Sequence, residues 1–530
     1  MKRYFDANCA SKESQLYGLP CSVQDNETVA ELRQAISKSP DDGEAYIRLG
    51  DALSYQLRYM EAIRVYTEAI ARLPQSMLPY QKRGGRYLTT LQLARAAADF
   101  DTCAAFGQNA EIAILSGLTA YLRGRYDEAK AHFSRWIALA GDDTEELISV
   151  LFWNILCCVR SGDDGGIRES LATYSPDMEA GHHTAYRCGI ELFRGGMTTE
   201  EAMAEAEAAE GEDRDLEYGM IVYGVANYEY WRGNAEAYAA CLDAILLRDT
   251  FWAGFASLAA LNDRHPEVVR EAELRGDAVR RAEALERFFS AHRRVALAFS
   301  GGVDSSYLLY AAKQCGCDVR PYLIQTQFQP RFEREEAERL AAELGIALTT
   351  VEYDVLCEPE VVQNPPDRCY RCKQTLFRVI REAAARDGCD VVIDGTNASD
   401  DPADRPGMKA LKELGVRSPL RECGLTKHQI RLLCRQAGLA VWSKPAYACL
   451  ATRIPAGTAI TADMLGKVEG AEAFLMTLGF SDFRVRYFHG AAKLQLHGEQ
   501  YERALTLRRE IAEGLAPFFE EVLLDMRARG

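Results

Sequence analysis

The chain has 530 residues, of which 48% are hydrophobic and 26% charged, and its net charge is -16. This length predicts roughly three to four domains, and the composition is that of a globular protein, not a disordered one. No run of eighteen or more apolar residues occurs, which argues against a membrane span. No apolar segment of the kind a secretory signal needs follows Met1–Asn8, so the cytoplasm is the expected compartment.

The charge is unevenly distributed. From Leu285 to Gly530 there are 33 basic and 33 acidic residues, so the first 284 residues carry the whole net charge of -16. Because neither half is basic, the sequence does not favour a nucleic-acid partner. The 16 cysteines are expected to be thiols, since no export signal is present.

Small and aromatic residues recur at intervals of 33 or 34 residues in the first half. The small residues allow two helices of a pair to approach closely, and the aromatic residues fill the space between them. The pattern resembles tetratricopeptide repeats over residues 42–143, preceded by a segment, 1–41, that holds a half repeat. The recurring positions are Tyr46, Leu49, Gly50, Ala62, Tyr66, Ala69 and Pro74, then Tyr80, Gly84, Tyr87, Ala96 and Phe100, then Gly117, Tyr121, Ala129 and Phe133.

The period is weaker over 144–275, which we interpret as degenerate helical repeats. Helices are predicted over Phe152–Val159, Thr184–Phe193 and Tyr218–Ala244, with a solvated helix over Glu200–Glu212. An acidic repeat half could dock a basic protein partner or another subunit. It could equally be a packing arm that shapes a homo-oligomer, and the sequence leaves both open.

Strands and helices alternate after the charged connector Arg270–Ser290, which predicts an α/β domain with a parallel sheet over 276–457. A small C-terminal α/β lobe is expected over 458–530. Its predicted elements are a helix over Thr461–Leu478, a hairpin of Phe483–Phe488 and Ala491–Leu496, a helix over Gln500–Glu513 and a strand over Phe518–Met526. In the larger domain the predicted strands are Val295–Phe299, Val319–Gln325, Leu348–Tyr353 and Val391–Ile393, and the predicted helices are Ser305–Cys315, Arg331–Leu344 and Lys373–Arg386.

The first of these strands leads into a polar loop and then a helix. Gly301 and Gly302 allow an anion to approach the backbone, and amides at a helix N-terminus bind phosphate. Asp304 could hold Mg²⁺. The loop resembles the SGGxDSS motif of the PP-loop ATP pyrophosphatases and consists of Ser300, Gly301, Gly302, Val303, Asp304, Ser305 and Ser306.

A second polar loop follows the strand Val391–Ile393. Since ligands lie outside the carboxyl ends of parallel strands, both loops are expected to form one site for ATP and Mg²⁺. This second loop consists of Asp394, Gly395, Thr396 and Asn397.

Three cysteines form the other candidate cluster. Cys369 and Cys372 make a C-x-x-C pair at a helix start, and Cys449 lies far along the chain. Three thiolates suit a 4Fe-4S cluster with one open iron better than structural zinc, which usually has four ligands. A redox dithiol and buried thiols remain alternatives.

Together these motifs resemble the LarE family of ATP-dependent sulfur transferases over about 290–525. The motifs that carry the resemblance, in chain order, are Gly301–Ser306, Arg368–Lys373, Asp394–Asn397, Ser418–Leu420, Lys444–Pro445, Ala448–Arg453 and Phe483–Arg486.

The resemblance implies an enzyme that adenylates a carboxylate of a pyridinium dicarboxylate mononucleotide and replaces an oxygen with sulfur, for nickel-pincer cofactor synthesis. The sulfur would come from a sacrificed cysteine or from a 4Fe-4S cluster, and the three-cysteine pattern favours the cluster. Arg484 and Arg486 would bind the substrate phosphate, with Arg453 and Glu472 in the same pocket. The alternatives are a PP-loop tRNA thiolase, a repeat scaffold that only binds nucleotide, and an amide-forming PP-loop ligase.

Overall fold

The computed structural model describes residues 5–6, 8–107, 109–139, 143–248, 250–401 and 407–529. It divides into two units, Met1–Gly276 and Asp277–Gly530. Within the described residues, no helix combines the length and the apolar character needed to cross a lipid bilayer.

The first unit is built from helices, most of them in antiparallel pairs, as the repeat pattern predicts. A 3₁₀ turn at Gly181–His183 precedes its eleventh helix. The helices are α1 Lys12–Leu16, α2 Glu27–Lys38, α3 Gly43–Tyr55, α4 Tyr59–Arg72, α5 Met77–Thr89, α6 Leu93–Phe106, α7 Ala110–Leu122, α8 Tyr126–Leu139, α9 Thr144–Ser161, α10 Asp164–Thr173, α11 Thr184–Arg194, α12 Thr199–Ala208, α13 Arg214–Trp231, α14 Ala235–Leu246, α15 Phe255–Arg264 and α16 Pro266–Ala291, which continues into the second unit.

The pairs pack through a glycine on one helix and an aromatic ring on the next. A Cβ added to Gly50 would lie 2.3 Å from the Tyr66 ring. An added Cβ on Gly84 would lie 2.7 Å from the Phe100 ring, and one on Gly117 would lie 2.5 Å from the Phe133 ring. These glycines are therefore needed for close approach of the helices, not for an unusual backbone angle.

Within the predicted helical stretch Tyr218–Ala244, which we interpret as part of the degenerate repeats, the structure has a pair of helices, α13 and α14. Gly233 has a φ of +80°, which ends the first helix. Asn234 then caps the second helix, since its side chain accepts a hydrogen bond from the Ala237 amide.

The last helices of the unit pack across the turns that join paired helices. Asn262 on α15 donates to the carbonyl of Leu122 at 2.8 Å, and Arg275 on α16 donates to the carbonyl of Leu16 at 2.6 Å. Trp252 packs edge-on against Tyr59. The end of the unit therefore contacts its beginning. Its main apolar core includes residues from Ala10 to Ala272, and a smaller separate core lies around Tyr66.

The second unit contains the predicted parallel sheet, whose four strands have the order β3-β2-β1-β4. Val295 and Leu297 face one core and Ala296 faces the other, so β1 is buried on both sides. The strands are β1 Arg294–Ala298, β2 Asp318–Gln325, β3 Thr349–Glu352 and β4 Val392–Ile393.

Seven helices accompany this sheet, with 3₁₀ turns at Val355–Cys357, Ala440–Ser443 and Leu450–Arg453. The sequence predicts three of these, α17, α18 and α20, and does not predict the other four, α19, α21, α22 and α23. The helices are α17 Val303–Gln314, α18 Arg331–Glu343, α19 Pro359–Val362, α20 Arg368–Arg386, α21 Gly407–Glu413, α22 Pro419–Glu422 and α23 Lys427–Gln436.

The C-terminal lobe has a three-stranded sheet, in which β5 pairs antiparallel with β6, and β6 pairs parallel with β7. The helix predicted over Gln500–Glu513 is two helices separated at Leu507, and the last strand is shorter than expected. The elements are α24 Ala462–Thr477, β5 Arg484–Phe488, β6 Ala491–Gln495, a 3₁₀ turn at Gly498–Gln500, α25 Tyr501–Thr506, α26 Arg508–Leu515 and β7 Val522–Leu524.

Candidate active site

The first polar loop joins β1 to α17 and needs glycine at its tightest point. Gly301 has a φ of +67°, and a Cβ there would lie 2.8 Å from the Cβ of Ala337 on α18. Ser305 closes the loop, since its hydroxyl accepts from the Ser300 amide at 3.3 Å and lies 3.2 Å from the Ser300 hydroxyl. Gly302 is the N-cap of α17, so the first amides of that helix lack intrahelical partners and are available to an anion.

Two polar atoms of this loop are buried without a partner. Among the described residues, nothing hydrogen-bonds to Oδ1 of Asp304 or to the hydroxyl of Ser306. The other carboxylate oxygen of Asp304 accepts from Lys427 at 2.7 Å. Burial raises the pKa of Asp304, and Lys427 opposes this rise. A buried carboxylate oxygen without a hydrogen-bond partner lowers the stability of the fold. Such an atom is expected where a bound ligand supplies the missing partner.

The second polar loop lies directly against the first, as the parallel topology predicts. A Cβ on Gly395 would be 3.1 Å from the amide nitrogen of Ser305. Asp394 is buried and accepts from Thr396 at 2.5 Å and from Ser418 at 2.6 Å. Asn397 is buried beneath the loop, where its side chain accepts from the Ser399 amide at 2.9 Å. The structure therefore brings the two loops together.

The C-x-x-C pair lies in the first turn of α20, and a buried arginine ties that turn to the segment that carries Cys449. Arg368 donates to the carbonyl of Ala451 at 2.8 Å and to the Asn364 side chain at 2.7 Å. Asn364 in turn donates to the carbonyl of Pro455 at 2.8 Å. These contacts hold together two segments that are about eighty residues apart in the sequence.

The three cysteine thiols influence one another. Burial, together with the nearby thiols of Cys449 and Cys369, raises the pKa of Cys372 to about 12. Burial also raises the pKa of Cys449, whereas Arg368 lowers it. Cys369 is exposed, and the other two are half-buried. The structure thus brings together the three cysteines that the sequence singles out.

Within the described residues, no three His, Cys, Asp or Glu side chains are arranged to hold a single metal ion. A 4Fe-4S cluster places its cysteine sulfurs farther apart than the ligands of one ion, because each sulfur binds a different iron. Among the described residues, the thiols that act on Cys372 are those of Cys369 and Cys449, and three thiols are a donor set for such a cluster with one open iron. The residues therefore fit the group in their chemistry.

Arg453 and Glu472 form a buried pair beneath the Cys449 segment. Two guanidinium nitrogens of Arg453 lie 2.8 and 3.0 Å from the two carboxylate oxygens, and both side chains are almost fully buried. Glu472 also accepts from the Val485 amide and from the Tyr447 hydroxyl. Arg453 donates to the carbonyl of Ala448 at 2.7 Å. The pair therefore orders the Cys449 segment and is not exposed to a ligand.

Arg484 and Arg486 on β5 both reach the same segment. Arg484 donates to the carbonyl of Ala446 at 3.3 Å, and Arg486 donates to that of Thr452 at 3.0 Å. Burial, together with the like charges of Arg453 and Arg529, lowers the pKa of Arg484 to about 10. The same causes lower the pKa of Arg486. A cluster whose charges repel one another favours a bound anion.

A cavity of about 390 Å³ connects the loops to the cysteines. Ser300, Asp304 and Asp394 line one part of it, and Cys449 lines another. Tyr322 and Phe377 supply apolar walls, which suits a heterocyclic base.

Two further polar residues of the site are absent from the sequence prediction. Glu333, on α18, lines the cavity, and Lys427, on α23, pairs with Asp304. Helix phase could have identified Glu333, since it lies one turn before the buried Ala337 and on the same face. The Thr426 capping box could have marked the start of α23.

A glycine-rich phosphate loop at the carboxyl end of a parallel sheet, above an enclosed cavity, defines an ATP-binding domain of the PP-loop class. Comparison with known proteins agrees, because a family model described as asparagine synthase matches residues 280–399. Pyridinium-3,5-bisthiocarboxylic acid mononucleotide synthase (LarE) of Lactiplantibacillus plantarum is 35% identical over 206 residues, which are 38% of this chain and 75% of that enzyme. The chain belongs to the LarE family of PP-loop ATP-dependent enzymes.

Two other relatives bear on the site. An uncharacterized protein of Synechocystis is 37% identical over 223 residues, which are 42% of this chain and 83% of that protein. A tRNA-specific 2-thiouridylase of Clostridium botulinum is 28% identical over 182 residues, which are 28% of this chain and 52% of that enzyme.

Proposed function

We propose that this protein is a sulfur transferase that uses ATP to adenylate a carboxylate of a pyridinium mononucleotide and then exchanges a carboxyl oxygen for sulfur. The observation that supports this most directly is the cavity that Cys449 shares with Ser300 and Asp304. Phosphate activation and a sulfur atom would then act within one enclosed space. A relative named for a pyridinium bisthiocarboxylic acid mononucleotide supports the substrate class.

The first polar loop would carry out the activation step. Amides at the start of α17 would neutralise the pyrophosphate of ATP as the substrate carboxylate attacks the α-phosphate. Asp304 would hold Mg²⁺ through the oxygen that lacks a protein partner. Asp394, fixed by Thr396 and Ser418, would complete the polar wall.

The sulfur half of the site consists of Cys369, Cys372 and Cys449. These three thiols would hold a 4Fe-4S cluster, which when bound supplies a transferable sulfide. In its absence, Cys449 is the cysteine that lines the cavity and could give up its own sulfur. Arg368 stabilises negative charge on the thiols, since it lowers the pKa of both Cys372 and Cys449.

The arginines of β5 would bind the substrate phosphate. Among the described residues, the guanidinium groups of Arg484 and Arg486 donate to backbone carbonyls and to the Gln495 side chain, none of which neutralises their charge. Arg453 already has a carboxylate partner, Glu472, so we assign this pair to holding the Cys449 segment in place.

The decisive experiment uses Cys449→Ala with ATP, Mg²⁺ and the pyridinium dicarboxylate mononucleotide. We expect the variant to form AMP but no thiocarboxylate, because activation does not need the cysteine. Cys357→Ala, at an exposed cysteine outside the cavity, serves as the control and should behave as wild type. Thiolated product from Cys449→Ala would contradict the proposal.

A second measurement identifies the sulfur source. After anaerobic incubation with iron and sulfide, a cluster would give an absorption spectrum that Cys449→Ala lacks. If wild type takes up no cluster, mass spectrometry after turnover should show Cys449 converted to dehydroalanine. If the experiments detect neither a cluster nor dehydroalanine, Cys449 has no part in sulfur transfer.

The second candidate is a PP-loop tRNA thiolase, which the likeness to the 2-thiouridylase favours. The balanced charge of the catalytic half weighs against it, since tRNA binding needs a basic surface. Salt-sensitive binding of tRNA in a filter assay would replace our proposal with this one.

For the first unit we propose a basic protein partner or a second subunit. The support is its charge, since the first 284 residues carry the whole net charge of -16. Such binding should weaken with added salt. A salt-independent interaction would contradict this part of the proposal.

A further inference from the structure

Glu333 is a carboxylate in the cavity to which the activation and sulfur steps assign no role. It lies in the first turn of α18, after the strand end of β2, and lines the same cavity as Asp304 and Cys449. Among the described residues, no hydrogen bond or ion pair involves its side chain. Its neighbour Glu336, by contrast, lies 2.6 Å from the Lys444 ammonium group.

Two of the three cations that act on Glu333 are already paired with other carboxylates. Burial raises the pKa of Glu333 to about 7, and Glu336 adds to the rise, whereas Lys444, Arg453 and Arg484 oppose it. Lys444 is engaged by Glu336, and Arg453 by Glu472. Glu333 therefore lacks a counter-ion in direct contact, although several cations are near enough to keep part of it ionised at neutral pH.

The two ends of the site differ in sign. Arg484 and Arg486 form a cationic region on β5, which suits a phosphate. Glu333 supplies a negative charge on a wall of the cavity. A ligand that matches both would carry an anionic tail and a positively charged ring.

We propose that Glu333 is the counter-ion for a cationic ring of the substrate and selects such rings over neutral ones. The inference rests on the proposed function. It adds that one residue, Glu333, selects the substrate by the charge of its ring. A tenfold preference for the cationic ring corresponds to about 1.4 kcal/mol of binding free energy.

Two mononucleotides separate ring charge from the other groups. Nicotinic acid mononucleotide and orotidine 5′-monophosphate both carry a ring carboxylate and a 5′-phosphate, but only the former has a cationic ring. Calorimetric titration of each should show that the wild-type protein prefers nicotinic acid mononucleotide. Glu333→Gln should lower the affinity for that ligand about tenfold and leave the affinity for orotidine 5′-monophosphate unchanged or higher.

Glu335→Gln is the matched control, because Glu335 lies on the same helix but is exposed and does not line the cavity. It should bind both ligands as wild type does. ATP affinity, measured in parallel, should be similar in all three proteins and reports that the site is folded.

The pH dependence is a second readout. Glu336, Lys444, Tyr447, Arg453 and Arg484 are the titratable or charged groups that act on Glu333 from the packed elements. Because the carboxylate is neutralised as the pH falls through about 7, the affinity of wild type for the cationic ligand should fall between pH 8 and pH 6. Glu333→Gln should lack this change.

The outcomes distinguish this inference from the proposed function. An equal loss for both ligands in Glu333→Gln, or no loss for either, would overturn the role of Glu333 and leave sulfur transfer standing. If wild type binds ATP but neither mononucleotide, the counter-ion and the mononucleotide substrate are both wrong. Formation of AMP with another carboxylate would then still support the enzyme class.

Discussion

Each unit of this protein contains a cluster of polar groups away from solvent, and the two clusters differ in how fully they are satisfied. In the first unit, Arg160 donates to Asn227 at 2.8 Å and to Tyr238 at 2.7 Å, and it pairs with Asp263. Tyr223 completes the set by donating to Asp263 at 2.8 Å. In the second unit, Asp304 and Ser306 each have a buried oxygen without a partner among the described residues.

This difference distinguishes a polar cluster that stabilises the fold from one that binds a ligand. A buried network whose donors and acceptors meet one another orders the helices that carry it. A buried oxygen without a partner lowers stability, so it is expected where a ligand completes it. Removing a charge should therefore damage folding in the first unit and catalysis in the second.

The largest expected effect follows from Asp263→Asn in the first unit. The substitution keeps the shape but leaves the charge of Arg160 buried and unpaired, which costs about 3–5 kcal/mol of unfolding free energy. Denaturant unfolding measures this loss, and ATP turnover per folded molecule should not change. Asp243→Asn removes the partner of Arg264 in an exposed pair and should have little effect. Equal effects of the two substitutions would refute the comparison.

The converse substitution is Asp304→Asn in the second unit. Since burial already disfavours the charged form, the variant should be as stable as wild type or slightly more stable. ATP-to-AMP conversion should fall about 100-fold, equivalent to about 2.7 kcal/mol, and should require more Mg²⁺. Asp318→Asn, which removes an exposed acid from the start of β2, is the control. A variant that is less stable but fully active would show that Asp304 serves the fold.

Local patterns in the sequence predict much of the second unit. The apolar run of β1 followed by Gly301 and Gly302 predicts strand, loop and helix, and the parallel topology predicts that the second loop meets the first. In the first unit, the spacing of Gly50 and Tyr66 predicts a packed helix pair. These features depend on short-range periodicity or on a general rule of sheets.

Contacts between distant segments could not be predicted from spacing. Cys449 joins Cys372 because Arg368 and Asn364 bridge the two segments, and nothing in the separation of these residues encodes that bridge. The C-x-x-C spacing and the lone Cys449 suggest the group, and the family resemblance supports it, but neither gives the contacts that hold the two segments together. Glu333 is one of four glutamates within residues 333–338. Helix phase puts it on the face of the buried Ala337, but its placement in the cavity depends on how α18 packs.

The smallest effect is expected at Asp277, a carboxylate of the second unit whose two oxygens both have partners. Burial acts to raise the pKa of Asp277, but hydrogen bonds from Arg280, Arg281 and Gln429 outweigh it and lower the pKa to about 2. A lowered folded-state pKa stabilises the protein above the ordinary value near 4, and this stability is lost as the pH falls from about 4 to 2. Because the group is partly exposed, Asp277→Asn should cost less than about 1 kcal/mol at pH 7 and nothing at pH 2. Unfolding at the two pH values measures this, and Asp304→Asn should not show the same loss at pH 7. If the two variants lose stability alike, a carboxylate with partners on both oxygens does not differ from one that lacks a partner on one oxygen.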